Sequence, residues 1–169
     1  MTRKLKTTLV ILILGCLLLV FAVWYKYEYS MDFVEPAQYN SPDLQQKILI
    51  ATQGSEFKNI ITKNLIEHYQ NDSIYIKVID VTLLPNIDPV NYNAIVIIHT
   101  WENWKPQSDV QSFIENTFNF KDKIIVLTTS GKGSFKIKGV DALTGESHLD
   151  NTGFYTNKII ERLDLILKN

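Results

Sequence analysis

The chain has 169 residues, of which 46% are hydrophobic and 21% charged, and this excludes a disordered or fibrous protein. Its net charge of −1 gives no signature of a nucleic-acid-binding protein. The single cysteine, Cys16, excludes an internal disulfide and a cysteine-based metal cluster; with three histidines and no HExxH motif, we predict no metal site.

Residues 7–25 predict a transmembrane helix. They carry no charge, lie between Lys6 and Lys26, and at about 1.5 Å per residue would span roughly 28 Å, enough for the hydrocarbon core. A cleavable signal peptide would have a shorter apolar region followed by a small-x-small site, which is absent here. A lipoprotein is the other alternative, since residues 13–16 loosely resemble a lipobox. We therefore predict an N-terminal anchor over residues 1–29 that contacts the lipid bilayer through 7–25.

The charges beside this segment predict its orientation. Three basic residues precede it, whereas Lys26 on the other side is offset by Glu28 and Asp32. The positive-inside rule then predicts a single-pass protein of the cell membrane with its globular domain outside the cytoplasm. Residues 30–46, which contain two prolines, predict a linker, and residues 47–169 predict the domain.

Beyond Lys47, apolar runs typical of buried strands alternate with segments of helical periodicity. We predict strands over 48–52, 74–79, 94–99, 123–128 and 140–143, and helices over 56–69, around 110–114 and over 159–167. Such alternation predicts an α/β fold with a doubly wound parallel sheet and right-handed crossovers. Residues 130–139 are too few for a full fourth crossover helix.

The loops after the first, third and fourth predicted strands are the candidate ligand site, because ligands of open α/β sheets bind beyond the carboxyl ends of the strands. The first loop combines hydroxyl groups, a glycine and main-chain N–H groups at a helix N-terminus, which suits a phosphate. Its residues are Thr52, Gln53, Gly54, Ser55, Glu56, Phe57 and Lys58. The loop lacks the GxGxxG and P-loop patterns. It is equally consistent with a helix that Ser55 caps after a turn at Gly54.

The other two loops offer aromatic and polar groups. Thr100, Trp101 and Trp104 follow the third strand, and the two indole rings can stack on a ligand ring or else cover the sheet edge. Thr129, Ser130 and Gly131 follow the fourth strand, where they either border a polar ligand or form a flexible turn.

Together, these loops resemble those of the flavodoxin-like family. Residues 52–58 stand in the place of the flavodoxin phosphate loop, residues 100–106 look like the aromatic loop that covers the flavin, and residues 128–131 resemble the Thr-Ser-Gly after the fourth strand. The resemblance implies a sheet of order 2-1-3-4-5, an FMN cofactor and electron transfer, with a membrane redox partner. Phe57 departs from the pattern, since the family commonly has a phosphate-contacting threonine there. The alternative is a non-catalytic ligand- or protein-binding module, with a scaffold partner, that reuses the fold without flavin.

The sequence contains two weaker signals of a functional site. Residues 141–147 resemble the motif on which flavin transferases attach FMN, with Ser147 as the acceptor, although a short strand and turn explain them as well. His99 and His148 follow strands, but nothing in their spacing defines a metal or acid–base site. A hydrolase is disfavoured because no nucleophile–base pair is evident from the sequence.

Overall fold

A computed structural model describes residues 3–29, 31–102 and 105–168, with the backbone alone at 26–29, and divides into two units, residues 1–31 and 32–169. The first unit is helix α1 (Arg3–Tyr29). Its apolar part, Arg3–Tyr25, is long and apolar enough to cross a membrane, and none of it is buried within the protein. A helix that is apolar on all sides requires an apolar environment, because it has no polar face to turn toward water.

The second unit is an α/β domain with a mixed six-stranded sheet. Its strands are β1 (Ala37–Tyr39), β2 (Gln46–Thr52), β3 (Ile74–Asp80), β4 (Ala94–Thr100), β5 (Ile124–Thr129) and β6 (Asp141–Gly145). Its helices are α2 (Glu56–Tyr69), α3 (Ser108–Asn116) and α4 (Thr152–Leu167). The strands lie in the order β1-β3-β2-β4-β5-β6; β1 pairs antiparallel with β3 and every other pair is parallel.

The segment predicted as a linker contributes to this sheet. Ala37–Tyr39 forms β1 on the edge of β3, so the sheet is mixed rather than wholly parallel as predicted. The Val34 N–H also donates to the Asp80 carboxylate at 3.0 Å. A strand of three residues with only one partly buried side chain has too short a pattern to be recognised in the sequence. Residues 32–46 therefore lie in the same compact unit as residues 47–169.

Alternation along the strands builds an apolar core on each face of the sheet. Ile48 and Ile50 pack with α2 and α4 on one face, and Leu49 and Ala51 pack with α3 on the other. Strand β2 is thus buried on both sides, which explains its unbroken apolar sequence. Tyr69 joins α2 to α4, since its hydroxyl donates to the Asp164 carboxylate at 2.8 Å.

Loops, rather than α-helices, make two of the connections between strands, and loops also follow the carboxyl ends of the central strands. Two short 3-10 turns, Val81–Asn86 and Pro89–Asn91, connect β3 to β4, and residues 130–140 connect β5 to β6 without a helix. Strands β2, β4 and β5 end at Thr52, Thr100 and Thr129. Thr100 is the register partner of Thr129, and Thr52 pairs with Ile98, two residues before Thr100. The loops that follow these three strands consequently meet.

Candidate functional site at the carboxyl edge of the sheet

Gln53 joins the first two loops. Its main-chain N–H donates to the Ile98 carbonyl at 3.3 Å, and its side-chain oxygen accepts from the Thr100 N–H at 2.6 Å. Its side-chain amide donates to Glu102 at 3.4 Å, although Gln53 is itself buried. The third loop is joined to the second by a bond from the Trp101 N–H to the Thr129 carbonyl at 2.7 Å. The structure therefore brings the three loops singled out in the sequence into one site.

The first loop is capped by the segment that precedes the sheet. Gly54 pairs with Asp32 through two main-chain hydrogen bonds, Gly54 N–H to Asp32 carbonyl at 2.8 Å and the reverse at 3.1 Å. A Cβ at position 54 would lie 2.4 Å from the Asp32 carbonyl oxygen, so only glycine permits this approach. The Gly54 N–H, which a phosphate loop would present to its ligand, is thus already bonded within the domain.

Ser55 begins helix α2 in an extended conformation, and its hydroxyl accepts from the Lys58 N–H at 3.4 Å. The Lys58 side chain returns to the same hydroxyl, with Nζ at 3.2 Å from Oγ. Lys58 is completely buried, and burial lowers its pKa to about 8 even though the Glu102 carboxylate acts in the opposite direction. A lysine in this state readily exchanges a proton near neutral pH.

Beneath the second loop lies a buried histidine. His99 Nε2 is 3.0 Å from the Thr128 hydroxyl, while Nδ1 has no hydrogen-bond partner among the described residues. Burial lowers the His99 pKa to about 4; the Thr100 backbone opposes this shift and the Lys58 charge adds to it. His99 is therefore neutral at pH 7.

The aromatic part of the site is partly occupied by the protein. The Trp101 ring stacks on Phe135, with centroids 5.3 Å apart and planes at 6°. Trp101 also lines a cavity of about 310 Å³ with Pro106, Ile114 and Ile137, a volume at the lower end for ligand sites. Trp104 lies outside the described residues.

A side chain of β6 holds the third loop, which follows β5, in place through hydrogen bonds. The Thr144 hydroxyl donates to the Gly133 carbonyl at 3.1 Å and the Phe135 carbonyl at 2.6 Å. Thr129 and Ser130 are buried, the Ser130 hydroxyl without a partner among the described residues, and Gly131 is exposed.

Strand β6 includes the first five residues of the flavin-transferase-like motif. Ser147, two residues beyond the strand, is exposed. Its position is accessible, as an acceptor hydroxyl requires, but accessibility does not distinguish an attachment site from an ordinary surface serine.

Sequence reasoning selected Ser55 and Lys58 separately and missed that they form a pair. The available signal was the spacing Ser-x-x-Lys at a helix start, which brings residues i and i+3 to one side of a helix. Phe135 gave no such signal, because its stacking on Trp101 depends on the path of the third loop. His148 meets Glu146 at 2.6 Å on the surface, and the described residues contain no group of three or more candidate metal ligands.

The fold and the site together define an α/β protein with an apolar N-terminal helix and a polar, partly buried cluster at the carboxyl edge of its sheet. No protein-family model matches the chain, and no curated protein matches it either.

Proposed function

We propose that this protein is a membrane-anchored, flavodoxin-like domain that binds a small phosphate-bearing ligand, FMN, at the carboxyl edge of its sheet and acts in electron transfer. The order of the five parallel strands, β3-β2-β4-β5-β6, and the meeting of three loops at that edge support the proposal. The observation that carries it is the buried cation of Lys58 at the start of α2.

Burying a lysine is costly unless an anion compensates for the lost hydration. The lowered pKa of Lys58 means that burial outweighs the stabilisation that Glu102 provides. An anion at the N-terminus of α2 would be attracted by the Lys58 charge, and the helix dipole would add to that attraction. A phosphate group fits both features.

The remainder of the site suits a ring attached to that phosphate. Phe135 covers one face of Trp101, so a flavin would use the opposite face or the adjoining cavity of about 310 Å³. Stacking on an indole ring contributes about 1 kcal/mol beyond the area buried. The buried hydroxyl of Ser130 and the backbone of Gly131 would border the polar edge of the ring.

Helix α1 supplies the anchor in this proposal, crossing the cell membrane once with its basic N-terminal flank in the cytoplasm and the domain outside. Protease added to intact spheroplasts should then digest residues 32–169. Digestion only after lysis would place the domain in the cytoplasm instead.

Titration of the full chain in detergent micelles with FMN, followed by quenching of flavin fluorescence, tests the ligand. We expect saturable quenching by the wild type and at least tenfold weaker binding by Lys58→Met, with riboflavin, which lacks the phosphate, indifferent to the substitution. Lys63→Met is the matched control, because Lys63 lies on the same helix with its side chain 72% exposed. No quenching at hundredfold excess, together with no covalently attached flavin by mass spectrometry, would contradict the proposal.

A second candidate is a binding module that uses the fold without flavin. It is favoured by the two places where the protein occupies its own site, the Asp32–Gly54 pairing and the stacking of Phe135 on Trp101. In that case purification from its membrane would give a colourless preparation with a stoichiometric protein partner.

A further inference from the structure

We propose that Ser55 and Lys58 form a nucleophile–base pair that cleaves carboxylic esters by acyl transfer to Ser55. This activity goes beyond flavin binding and requires no flavin. It rests on the contact between Ser55 Oγ and Lys58 Nζ at 3.2 Å, a distance suited to proton transfer.

The exposure of the two side chains matches the two roles. Ser55 is partly exposed, so an ester can reach its hydroxyl, whereas Lys58 is completely enclosed, so water does not stabilise its charged form. Desolvation of this kind is how a lysine becomes a general base near neutral pH. Among the described residues, the charged and titratable groups that act on Lys58 include the Glu102 carboxylate and the His99 ring, which is neutral at pH 7.

The loop also holds the pair in place. The N-cap bond from the Lys58 N–H fixes the Ser55 hydroxyl over the first turn of α2. Gln53 holds Glu102 beside the site through its side-chain amide. Rigid support of this kind is what an activated serine requires, since misplacement of reacting groups is costly in rate.

The chemistry balances within the site. Ser55 Oγ forms a bond to the ester carbonyl carbon while its proton passes to the neutral amine of Lys58. The bond from that carbon to the alcohol oxygen then breaks, and the alcohol leaves with the proton from Lys58. Water, deprotonated by the same amine, attacks the acyl-Ser55 ester, releases the carboxylic acid and returns the proton to Ser55.

Helix α2 supplies the electrostatic complement. Its first N–H groups, those of Glu56 and Phe57, have no acceptor within the helix by the geometry of an α-helix. They and the helix dipole would stabilise negative charge developing on the carbonyl oxygen above Ser55. The Gly54 N–H does not take part, because it is bonded to Asp32.

Labelling with an alkyl fluorophosphonate tests the pair in the full chain in detergent micelles. The Ser55 oxygen would displace fluoride from phosphorus and leave a phosphonyl group on its own tryptic peptide, which mass spectrometry locates. We expect labelling at Ser55, about tenfold faster at pH 9 than at pH 7, because the neutral fraction of a lysine with a pKa of about 8 rises by that factor. Hydrolysis of p-nitrophenyl acetate should follow the same pH profile.

Three variants separate catalysis from structure. Ser55→Asn keeps a capping side chain but no nucleophile, and should lose both labelling and hydrolysis while retaining the wild-type unfolding midpoint. Lys58→Met should slow labelling at least about 100-fold and abolish its rise with pH, and Lys63→Met should change neither. No label on Ser55 at pH 9, or equal labelling of wild type and Lys58→Met, would overturn the proposal.

The same experiments keep this proposal apart from flavin binding. A phosphate requires the charged form of Lys58 and should bind less tightly above pH 8, whereas acyl transfer requires the neutral form and should accelerate there. Labelling without FMN quenching would support the ester-cleaving pair alone. Quenching without labelling would overturn the pair and leave the flavin proposal standing.

Discussion

Two lysines at opposite ends of the parallel strands are held in different ways. At the amino end, Lys123 donates to the main-chain carbonyls of Pro89 at 2.5 Å and Tyr92 at 2.6 Å. At the carboxyl end, Lys58 contacts the side-chain hydroxyl of Ser55. Burial lowers the pKa of both lysines, yet Lys123 is only partly buried and Lys58 is completely enclosed.

This difference separates a structural cation from a candidate functional one. Main-chain carbonyls are fixed by the fold, so Lys123 holds the connection before β4 against the start of β5. Lys58, in contrast, contacts a serine hydroxyl, which is a reactive group. Lys123 at the amino end therefore bonds to the backbone, whereas Lys58 at the carboxyl end lies beside a reactive group of the candidate site.

Replacing Lys123 should have the largest effect on stability. Lys123→Met leaves two carbonyls without their donor and should lower the free energy of unfolding by about 3 kcal/mol, since each hydrogen bond to a charged group is worth about 1.5–3 kcal/mol. Urea unfolding of the full chain in detergent micelles measures the change.

Lys58→Met is the comparison for that experiment. We expect it to cost about 1 kcal/mol or less, because removal of a desolvated charge offsets the hydrogen bonds that are lost. If both variants lose the same free energy of unfolding, the two lysines stabilise the fold equally, and the contrast between the two ends of the sheet is wrong.

The sequence predicts β2 to β5 well because each contains an apolar run buried on both faces of the sheet, whereas β6 is short and partly exposed. Strands β2 to β6 all lie within about two residues of their predicted positions, and α2 matches its predicted bounds. Strand β1 was not predicted, because its three residues form a strand through hydrogen bonds to β3 rather than through their own pattern.

The meeting of the three loops was predictable from the sequence, but the contacts between them were not. Loops after the first, third and fourth predicted strands do meet, since parallel strands end at one edge. The pairing of Asp32 with Gly54 joins positions far apart in the chain, and no local pattern marks it. The burial of Lys58 was equally hidden, because a lysine in the first turn of a helix is ordinarily exposed.

The buried His99 at the carboxyl end should make the stability of the domain depend on pH. Because the His99 pKa is about 4 in the folded protein and 6.5 in the unfolded chain, the unfolded chain binds more protons between these values. Stability should therefore fall as the pH drops below 6.5, by about 2 kcal/mol between pH 7 and pH 5 from this residue.

Comparing the two pH values in a His99→Gln variant isolates that contribution, since the carboxylates titrate in both proteins. The variant should lose about 2 kcal/mol less than the wild type between pH 7 and pH 5. An unchanged pH dependence in His99→Gln would mean that His99 is not held neutral.

The smallest effect concerns the segment that caps the first loop. Gly54→Ala places a Cβ against the Asp32 carbonyl, and the exposed Asp32 can move away at the expense of its two main-chain bonds. We expect a loss of about 1 kcal/mol in urea unfolding, since such bonds are each worth about 0.5–1.5 kcal/mol and water can partly replace them at the exposed Asp32. Gly131→Ala is the matched control for stability at the same edge, because a Cβ there meets nothing within 4 Å, and it should not alter stability.

The informative measurement is the FMN affinity of the Gly54→Ala variant. Displacing Asp32 frees the main-chain N–H of residue 54 for a phosphate, so a flavin site should bind more tightly in Gly54→Ala than in the wild type. If the FMN affinity of Gly54→Ala falls together with its stability, the loop paired with Asp32 is the form that binds the ligand. The carboxyl end would then resemble the amino end, since its main-chain hydrogen bonds would hold the structure together.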